Sequence, residues 1–463
     1  MRRLLIAAGI AAVGCALLAA RPQPSRPATG NVRDHGAKGD GTADDTAALQ
    51  DAVDRAPGAV QLPPGTYRVT KTILVDLDKV GFTSISGGGS ARVVMTGAGP
   101  AFKFVGTHAG TAAPASVKDN VWEKQRMPCL DGVEIVGEHA DAVGIEATGT
   151  HMLTVRRVLV RKCLHGIHLT GRNRNLTVAD SHVYHNRGIG VFFDRVNLHQ
   201  ANVTGSHVSY NGGGGVVVKA GEMRNLQITG CDIEANHDKD GPPTANVLID
   251  STGGSNAEVA VTGCTIQHTR NAPGSANVRI KGPSNPDKGT NEVRDGHVTI
   301  TGNVLSDTKV NIHLDHARAV AITGNTFWTG VEHNLLVENS RGVVVGPNVM
   351  DRNPRYFREE DGASNGVLFT DCSDCVVTGL FVKGTKASQS APAGVTLVRC
   401  DRMHLSGLSI LDCERGGLRL EGLTRSRVAG CVIRDDRPGA GPQLQVVGGK
   451  ENDSTGNTVF PAP

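Results

Sequence analysis

The sequence predicts an all-β fold, namely a single-stranded right-handed parallel β-helix of about 13 coils with a short N-terminal capping helix. Three observations carry this prediction. A Thr-Gly motif recurs along the chain, short segments between its copies alternate between apolar and polar residues, and one amphipathic helix precedes the first repeat.

The repeat has the form Thr-Gly-x-x-apolar, and most of its copies start 22 to 28 residues apart. A repeat of this length with three short strands cannot bury its apolar face alone, so successive coils must stack. We expect the coils to wind in a right-handed sense, as other parallel crossover connections do. The clearest copies start at Thr204, Thr229, Thr262, Thr301, Thr323 and Thr455.

The residue after Thr-Gly is small or polar in every clear copy. It is Ser206, Cys231, Cys264, Asn303, Asn325 and Asn457 in turn, with Ser181 in a variant copy. We interpret this column as a structural ladder of side chains that hydrogen-bond between coils, with asparagine at positive φ. Cys231 and Cys264 lie one coil apart and are expected to fill the ladder.

Composition narrows the classes of function. The 463 residues carry a net charge of +3 and no block of Lys or Arg, so nothing indicates a nucleic-acid partner. The chain has 10 cysteines, one of them near the N-terminus, and no pair of Cys or His motifs at zinc-site spacing. We therefore predict no metal site of this kind.

The first residues differ from the rest. Arg2 and Arg3 precede an apolar run from Leu4 to Ala20, and a Pro-rich stretch follows. This pattern is typical of an export signal, so we assign 1–30 to a signal peptide and linker and 31–463 to one β-helix domain. The mature protein is then secreted or periplasmic with no membrane span. Lipid anchoring at Cys15 is the alternative.

The N-terminal motif of the β-helix, 31–70, opens with NVRDHGAKGDGTADDTAALQ from Asn31 to Gln50 and continues with LPPGTYRV from Leu62 to Val69. It predicts a helix over Thr46–Arg55 whose apolar face covers the open end of the first coil. Asp40 and Asp44 are capping candidates. The alternative is that their carboxylates hold calcium, which is the only cofactor that the sequence suggests.

These two runs resemble the opening of the pectate-lyase-like superfamily of β-helix proteins, which includes rhamnogalacturonase and epimerase-like members. The resemblance implies a polysaccharide partner and a substrate cleft over the sheet that follows the long variable turn. Two departures limit it. Of the polygalacturonase-type signature only Arg279-Ile280-Lys281 is present, and the Asp-Pro-His motif of alginate epimerases is absent.

The strand that follows the variable turn has the pattern apolar-x-apolar-x, so its second and fourth residues face outward. The fourth positions form a column of alternating charge, and the second positions add three basic side chains. The candidate catalytic residues are Asp194, Lys219, Asp250, Lys281 and Asp315, and the candidate substrate-binding residues are His168, Arg279, His313, Arg355 and Tyr356.

A surface ladder of opposite charges is the structural interpretation of this column. The functional interpretation is a groove for a glycan. Carboxylates two coils apart suit an inverting hydrolase, whereas a lysine or arginine base with carboxylate-held calcium suits β-elimination of a uronate.

Long turns before several of these strands, at His237 to Ala245, His268 to Ala276, Asp351 to Asn365 and Val382 to Ala393, are expected to wall one side of the groove. We thus predict a secreted polysaccharide lyase or glycoside hydrolase acting on an acidic or plant or algal polysaccharide. A non-catalytic glycan-binding or surface structural β-helix is the alternative, favoured by the 3% aromatic content.

Overall fold

The computed structural model describes residues 29–56, 58–282, 296–356 and 362–461. The predicted export signal and Cys15 lie outside the described residues. The described chain forms parallel strands, each paired with the corresponding strand one coil away, which is the topology of the predicted right-handed parallel β-helix. In the part of the chain that the structure describes, no helix has the length and apolar composition needed to cross a membrane.

Three sheets run along the coil, named here A, B and C in the order in which the repeat meets them. Sheet A ends at the Thr-Gly bend and contains Ala59–Gln61, the first parts of Ser84–Met95 and Cys129–Gly137, Thr154–Arg156, the last parts of Ile167–Ala179 and Ile189–Thr204, Glu222–Thr229, Ala257–Thr262, Gly296–Thr301, Arg318–Thr323, Arg341–Val345, Val376–Thr378, His404–Ser406, Arg427–Ala429 and Asp453–Thr455.

Sheet B follows the bend. It contains Asp40–Asp44, Gly65–Val69, the last parts of Ser84–Met95 and Cys129–Gly137, Leu159–Arg161, His182–Tyr184, His207–Ser209, Asp232–Glu234, Thr265–Gln267, Val304–Leu305, Thr326–Phe327, Val349–Asp351, Phe381–Lys383, Ser409–Leu411, Val432–Arg434 and Thr458–Phe460.

Sheet C follows the variable turn. It contains Ile73–Asp76, Gly99–Val105, Ala142–Thr148, the first parts of Ile167–Ala179 and Ile189–Thr204, Gly214–Lys219, Ala245–Asp250, Ala276–Lys281, Thr308–Asp315, Gly330–Glu338, Gly366–Thr370, Val395–Val398, Leu418–Glu421 and Leu444–Val447. The core lies between the three sheets and consists mainly of Val, Ile and Leu at alternating strand positions.

The capping helix α1 spans Thr46–Arg55, as predicted, and buries Leu49, Ala52 and Val53. A short helix α2, Leu77–Val80, 3₁₀ turns at Val32–His35 and Pro114–Ser116, and a π-helical turn at Val121–Gln125 complete the helical elements. Asp45 is the N-cap residue by position, but its carboxylate accepts hydrogen bonds from the amides of Lys38 and Gly39.

The bend column is a buried ladder, as predicted. Asn303 donates from Nδ2 to Asn325 Oδ1 at 3.0 Å, and the amide of Cys231 donates to Cys264 Sγ at 3.4 Å. The expected positive φ is at a different position. The preceding glycine has it, for example Gly302 at 66°, because that residue turns the chain while the ladder side chain points inward.

A second buried ladder lies at the corner between sheets B and C and has no motif in the sequence. Each member donates from its side-chain nitrogen to the side-chain oxygen of the next, over distances of 2.7 to 2.9 Å. Its members are Asn186, Asn211, Asn236, Asn246, Asn277, Asn311 and Asn334.

Candidate active site on sheet C

The outward column of sheet C has the predicted register. Asp194 pairs with Lys219, Lys219 with Asp250, Asp250 with Lys281 and Lys281 with Asp315, one coil after another. Five candidate catalytic residues therefore share one face of the β-helix, at a spacing of ~4.8 Å per coil.

These charges do not pair with one another. Among the described residues, neither Lys219 nor Lys281 has a carboxylate oxygen within ion-pair distance. Asp194 is paired with Arg195 at 3.0 Å instead, and the Asp315 carboxylate contacts His316 Nδ1 at 2.6 Å. The two lysines are exposed on the outer face of sheet C, which leaves them available for an anionic ligand.

The strongest convergence of functional groups is at His168, in the first part of the strand Ile167–Ala179. Its Nδ1 lies 3.7 Å from Glu146 Oε2, and its Nε2 lies 3.4 Å from Asp194 Oδ2. The Nζ of Lys103 lies 2.7 Å from the other oxygen of Glu146. His168, Glu146 and Asp194 are each mostly buried in side chain yet face the outer surface of sheet C.

Two aromatic rings, those of Phe192 and His165, lie beside the His168 centre. The ring of Phe192 stacks on His168 with centroids 5.2 Å apart, and His165 lies 5.1 Å from Phe192 and 5.4 Å from His168. The amide of Ile189 donates to His165 Nδ1 at 3.1 Å. Burial lowers the pKa of His165 to about 4, so this imidazole is neutral near pH 7.

The neighbouring His168 imidazole and the Lys103 ammonium hold the pKa of Glu146 near 2 despite its partial burial. Glu146 is therefore ionised at any pH at which the protein would work. An ionised carboxylate beside an imidazole orients the ring and stabilises a positive charge on it.

The repeat pattern in the sequence did not reveal Lys103, Glu146, His165 and Phe192. The first two lie in Phe102-Lys-Phe-Val105 and Ile145-Glu-Ala-Thr148, which have the same apolar-x-apolar-x pattern as the later strands. The long segment 106–128 separates these two strands in the sequence. The first strand also follows a coil that has no Thr-Gly motif at its bend. The alternation itself was the available signal.

A second cluster lies five coils further along the same face. Arg279 donates from Nε to His313 Nδ1 at 3.0 Å, and His313 Nε2 lies 2.9 Å from Glu338 Oε2. The Arg279 guanidinium also donates to the carbonyl oxygens of Thr244 and Gly274. The guanidinium nitrogens of Arg279 already have partners, and these hydrogen bonds hold the two adjacent loops in place. Substrate binding by Arg279 stays a prediction.

The long turns all lie at the corner between sheets B and C, as predicted. Arg355 and Tyr356 are on one of them. The Tyr356 ring stacks on Trp328 with centroids 5.2 Å apart, and the Arg355 guanidinium lies 5.5 Å from the Tyr356 ring. Residues 357–361 of this turn lie outside the described residues. Arg355 and Tyr356 therefore belong to the loop wall and not to the His168 centre.

Within the described ranges, no group of three or more His, Cys, Asp or Glu side chains is placed to hold a metal ion. The Asp40 and Asp44 carboxylates do not fit calcium, because Thr42, Ala43, Thr46 and Thr70 already donate to them. These hydrogen bonds also lower the pKa of both aspartates.

Two family models match the chain, one in each half. Residues 29–236 match the family described as rhamnogalacturonase A/epimerase, pectate lyase-like, and residues 245–460 match the family described as periplasmic copper-binding protein (NosD). Together with the sheet topology, these matches indicate a pectate-lyase-like parallel β-helix.

Among curated proteins, the chain is 57% identical over 44 residues to the mannuronan C5-epimerases AlgE5 and AlgE2 of Azotobacter vinelandii. That segment is 9% of this chain and spans only 4% of the length of these relatives. Among solved structures, the A-module of the mannuronan C-5 epimerase AlgE4 of the same organism is similar, with a TM-score of 0.54 and 15% identity. The match covers 90% of this chain and 100% of that module.

Proposed function

We propose that this protein is an exported enzyme that acts on an acidic polysaccharide by removing the proton next to a uronate carboxylate. The observation that carries the proposal is His168, which is held between Glu146 and Asp194 on the outer face of sheet C. The carbohydrate-related descriptions of the N-terminal family match and of the relatives support this class of substrate.

Lys219 is the proposed binding group for the uronate carboxylate. It is exposed, it makes no ion pair with the described residues, and it is the register partner of Asp194. Charge neutralisation of the carboxylate by an ammonium group makes the adjacent C–H more acidic and stabilises the enolate-like intermediate. Lys281 repeats this arrangement two coils further on, with Asp250 between the two lysines.

His168 is the proposed base. It takes the proton from the carbon next to the carboxylate, and Glu146 and Asp194 stabilise the positive ring. In a lyase the electron pair forms a carbon–carbon double bond, the bond from carbon to the glycosidic oxygen breaks, and that oxygen takes the proton from His168. In an epimerase water delivers a proton to the opposite face of the same carbon, and His168 releases its proton to solvent.

Hydrolysis by a carboxylate pair at this centre is less well supported. A glycosidase needs one protonated carboxyl as its acid, and the pKa of Glu146 is held near 2. His168 also occupies the space between Glu146 and Asp194, where an inverting enzyme would need its water. The Asp194–Asp250 and Asp250–Asp315 pairs, each two coils apart, remain the hydrolase alternative.

Export rests on the N-terminal segment, and the periplasmic description of the matched NosD family supports it. We propose a secreted or periplasmic location for one β-helix domain over 31–463. Fractionation of cells that express the full chain tests this, and globomycin-sensitive processing would indicate an anchor at Cys15.

The activity test is a screen of the full chain against polymannuronate, polyguluronate, polygalacturonate and neutral glucans. New absorbance of an unsaturated product identifies a lyase, and a changed uronate epimer ratio identifies an epimerase. Reducing ends alone identify a hydrolase, and binding without turnover identifies the non-catalytic alternative.

His168→Gln tests the centre, and His182→Gln on sheet B is the matched control. The first variant should lose at least 100-fold in kcat, whereas the second should keep full activity. Retained activity in His168→Gln would refute the proposed base.

A further inference from the structure

A second groove runs along the outer face of sheet A, on a different side of the β-helix from the His168 centre. It has a volume of about 500 Å³ and crosses consecutive coils. Its floor consists of neutral side chains that follow one another in register, namely Thr154, Thr177, Asn202 and Gln227. Hydroxyl and amide groups of this kind donate and accept hydrogen bonds equally well.

One side of this groove is a ridge of residues with positive φ, between 56° and 64° in five successive coils. The ridge consists of Met127, Met152, Asn175, Gln200 and Asn225. Only a few per cent of residues other than glycine adopt this conformation, so its repetition in register means that this corner is built the same way in each coil. The Asn175 Oδ1 atom is buried and has no hydrogen-bond partner.

The residues immediately before the ridge form a basic column in which three arginines alternate with two histidines, and burial lowers the pKa of both histidines. Successive members are in register over five coils, and they are Arg126, His151, Arg174, His199 and Arg224. At ~4.8 Å per coil the column extends over ~19 Å. Arg172 adds a further cation beside it, with Nε and Nη2 buried and unpaired.

No acidic side chain neutralises this column. Within the described ranges, Arg126, Arg174 and Arg224 make no ion pair, and the last two donate mainly to carbonyl oxygens. Several arginines elsewhere on the surface have carboxylate partners, as Arg399 has in Asp371 and Arg402 in Asp374. Arginines without carboxylate partners repel one another, and an anionic ligand would relieve this repulsion.

The basic column and the amide floor end after the coil that contains Arg224 and Gln227. In the next coil the positions of the basic column, the ridge and the floor are taken by Ala257, Glu258 and Ala260. The basic column and the amide floor therefore end at the same coil, whereas the positive φ of the ridge continues at Glu258 (60°). A single ligand that spans the coils up to Arg224 explains why the column and the floor end together.

We propose that this groove binds a stretch of acidic polysaccharide that lies along the helix axis with about one monosaccharide per coil. The basic column would contact the carboxylates, and the amide floor would contact the hydroxyl groups. Only the choice of a polyuronate rests on the proposed function. Binding here requires no chemistry at His168, so the groove would hold the polymer while sheet C acts on another part of it.

A single-stranded nucleic acid is the other polyanion that such a groove could hold. Stacking of bases on aromatic side chains is the usual means of binding single strands. Among the described residues that line this groove, none is aromatic.

The test measures binding of polymannuronate, dextran and single-stranded DNA by the full chain, using isothermal titration calorimetry at two salt concentrations. All proteins carry His168→Gln so that turnover does not interfere. The arginine variant is R126Q/R174Q/R224Q, and the matched control is R399Q/R402Q/R425Q, whose arginines have carboxylate partners. A second groove variant, Asn225→Asp with Gln227→Glu, adds negative charge at exposed positions without removing any hydrogen bond that holds a loop.

We expect polymannuronate to bind the parent with salt-dependent affinity and dextran not to bind. Both groove variants should weaken polymannuronate binding at least 10-fold, and the control should not. Unchanged affinity in the charge-adding variant, absence of polymannuronate binding by the parent, or tighter binding of DNA would each overturn the proposal. Turnover of the His168-intact chain is measured separately, so a failed enzyme assay with retained groove binding would refute only the proposed function.

Discussion

Asn236 donates from Nδ2 to Oδ1 of Asn246 at 2.9 Å, and this hydrogen bond carries the buried asparagine ladder across the loop 237–245. Before the loop, the ladder side chains follow sheet B. After it, they lie near the start of the sheet C strands. The change occurs where one family match ends at residue 236 and the other begins at residue 245. The ladder and sheet C therefore continue through the joint between the two matched halves.

Replacement of Asn246 by alanine should destabilise the protein. It would leave the side chains of Asn236 and Asn277 without one partner each in a buried site, at a cost of about 1–3 kcal/mol per unsatisfied group. Urea unfolding followed by circular dichroism measures the loss. Gln227→Ala, at an exposed position on sheet A, is the control. An equal midpoint for both variants would contradict a structural role for the ladder.

The sequence predicted the capping helix, the bend ladder and the register of the charged column because each depends on local periodicity. Alternation at period 2 determines which side chains face outward, and the repeat length determines which ones meet in the next coil. Asp194, Lys219 and Asp250 therefore lie where the repeat alignment placed them.

The asparagine ladder could not be found in the same way, because Asn236 and Asn246 are on opposite sides of a loop of variable length. The His168 centre was missed in part for a similar reason. Glu146 is one coil away from His168 in space, but an irregular coil precedes it in the sequence. The partners of Arg279 also depend on side-chain rotamers, which no pattern of residues specifies.

Arg279→Lys should loosen the loop wall. A lysine has three donors at one point and cannot reach His313 and the carbonyl oxygens of Thr244 and Gly274 together. We expect a loss of about 1–3 kcal/mol in stability and faster proteolytic cleavage within 237–245. Limited proteolysis with mass spectrometry locates the cut. Lys281→Arg, an exposed neighbour on the same strand, should cleave like the parent.

Lys219 should contribute to binding of the uronate carboxylate and to stabilisation of the intermediate, whereas His168 should contribute to proton removal. Lys219→Ala should lower kcat/KM for a polyuronate by about 10²–10³-fold. Lys219→Arg, which keeps the charge, should restore part of the activity. Steady-state kinetics on a polyuronate that the parent converts gives both values. If Lys219→Ala matched the parent and Asp250→Asn lost activity, the carboxylate pairs of the hydrolase alternative would be favoured.

Acid should destabilise the protein through its buried neutral histidines. Burial lowers the pKa of His108 and of His333 to about 4, whereas an unfolded histidine titrates near 6.5. Between these values the unfolded chain binds more protons, so stability rises with pH and falls as the pH drops from about 6.5 towards 4. The loss approaches roughly 3 kcal/mol per histidine.

His333→Gln should remove part of this acid loss, since its amide does not titrate. The measurement is the urea midpoint at pH 7, 5.5 and 4.5, compared with the same series for His404→Gln, whose histidine is exposed. The parent and the control should lose stability in parallel, whereas the His333 variant should lose less. A steeper loss in that variant would contradict the assignment of the acid loss to His333, which is buried in the strand Gly330–Glu338 near Glu338 and His313.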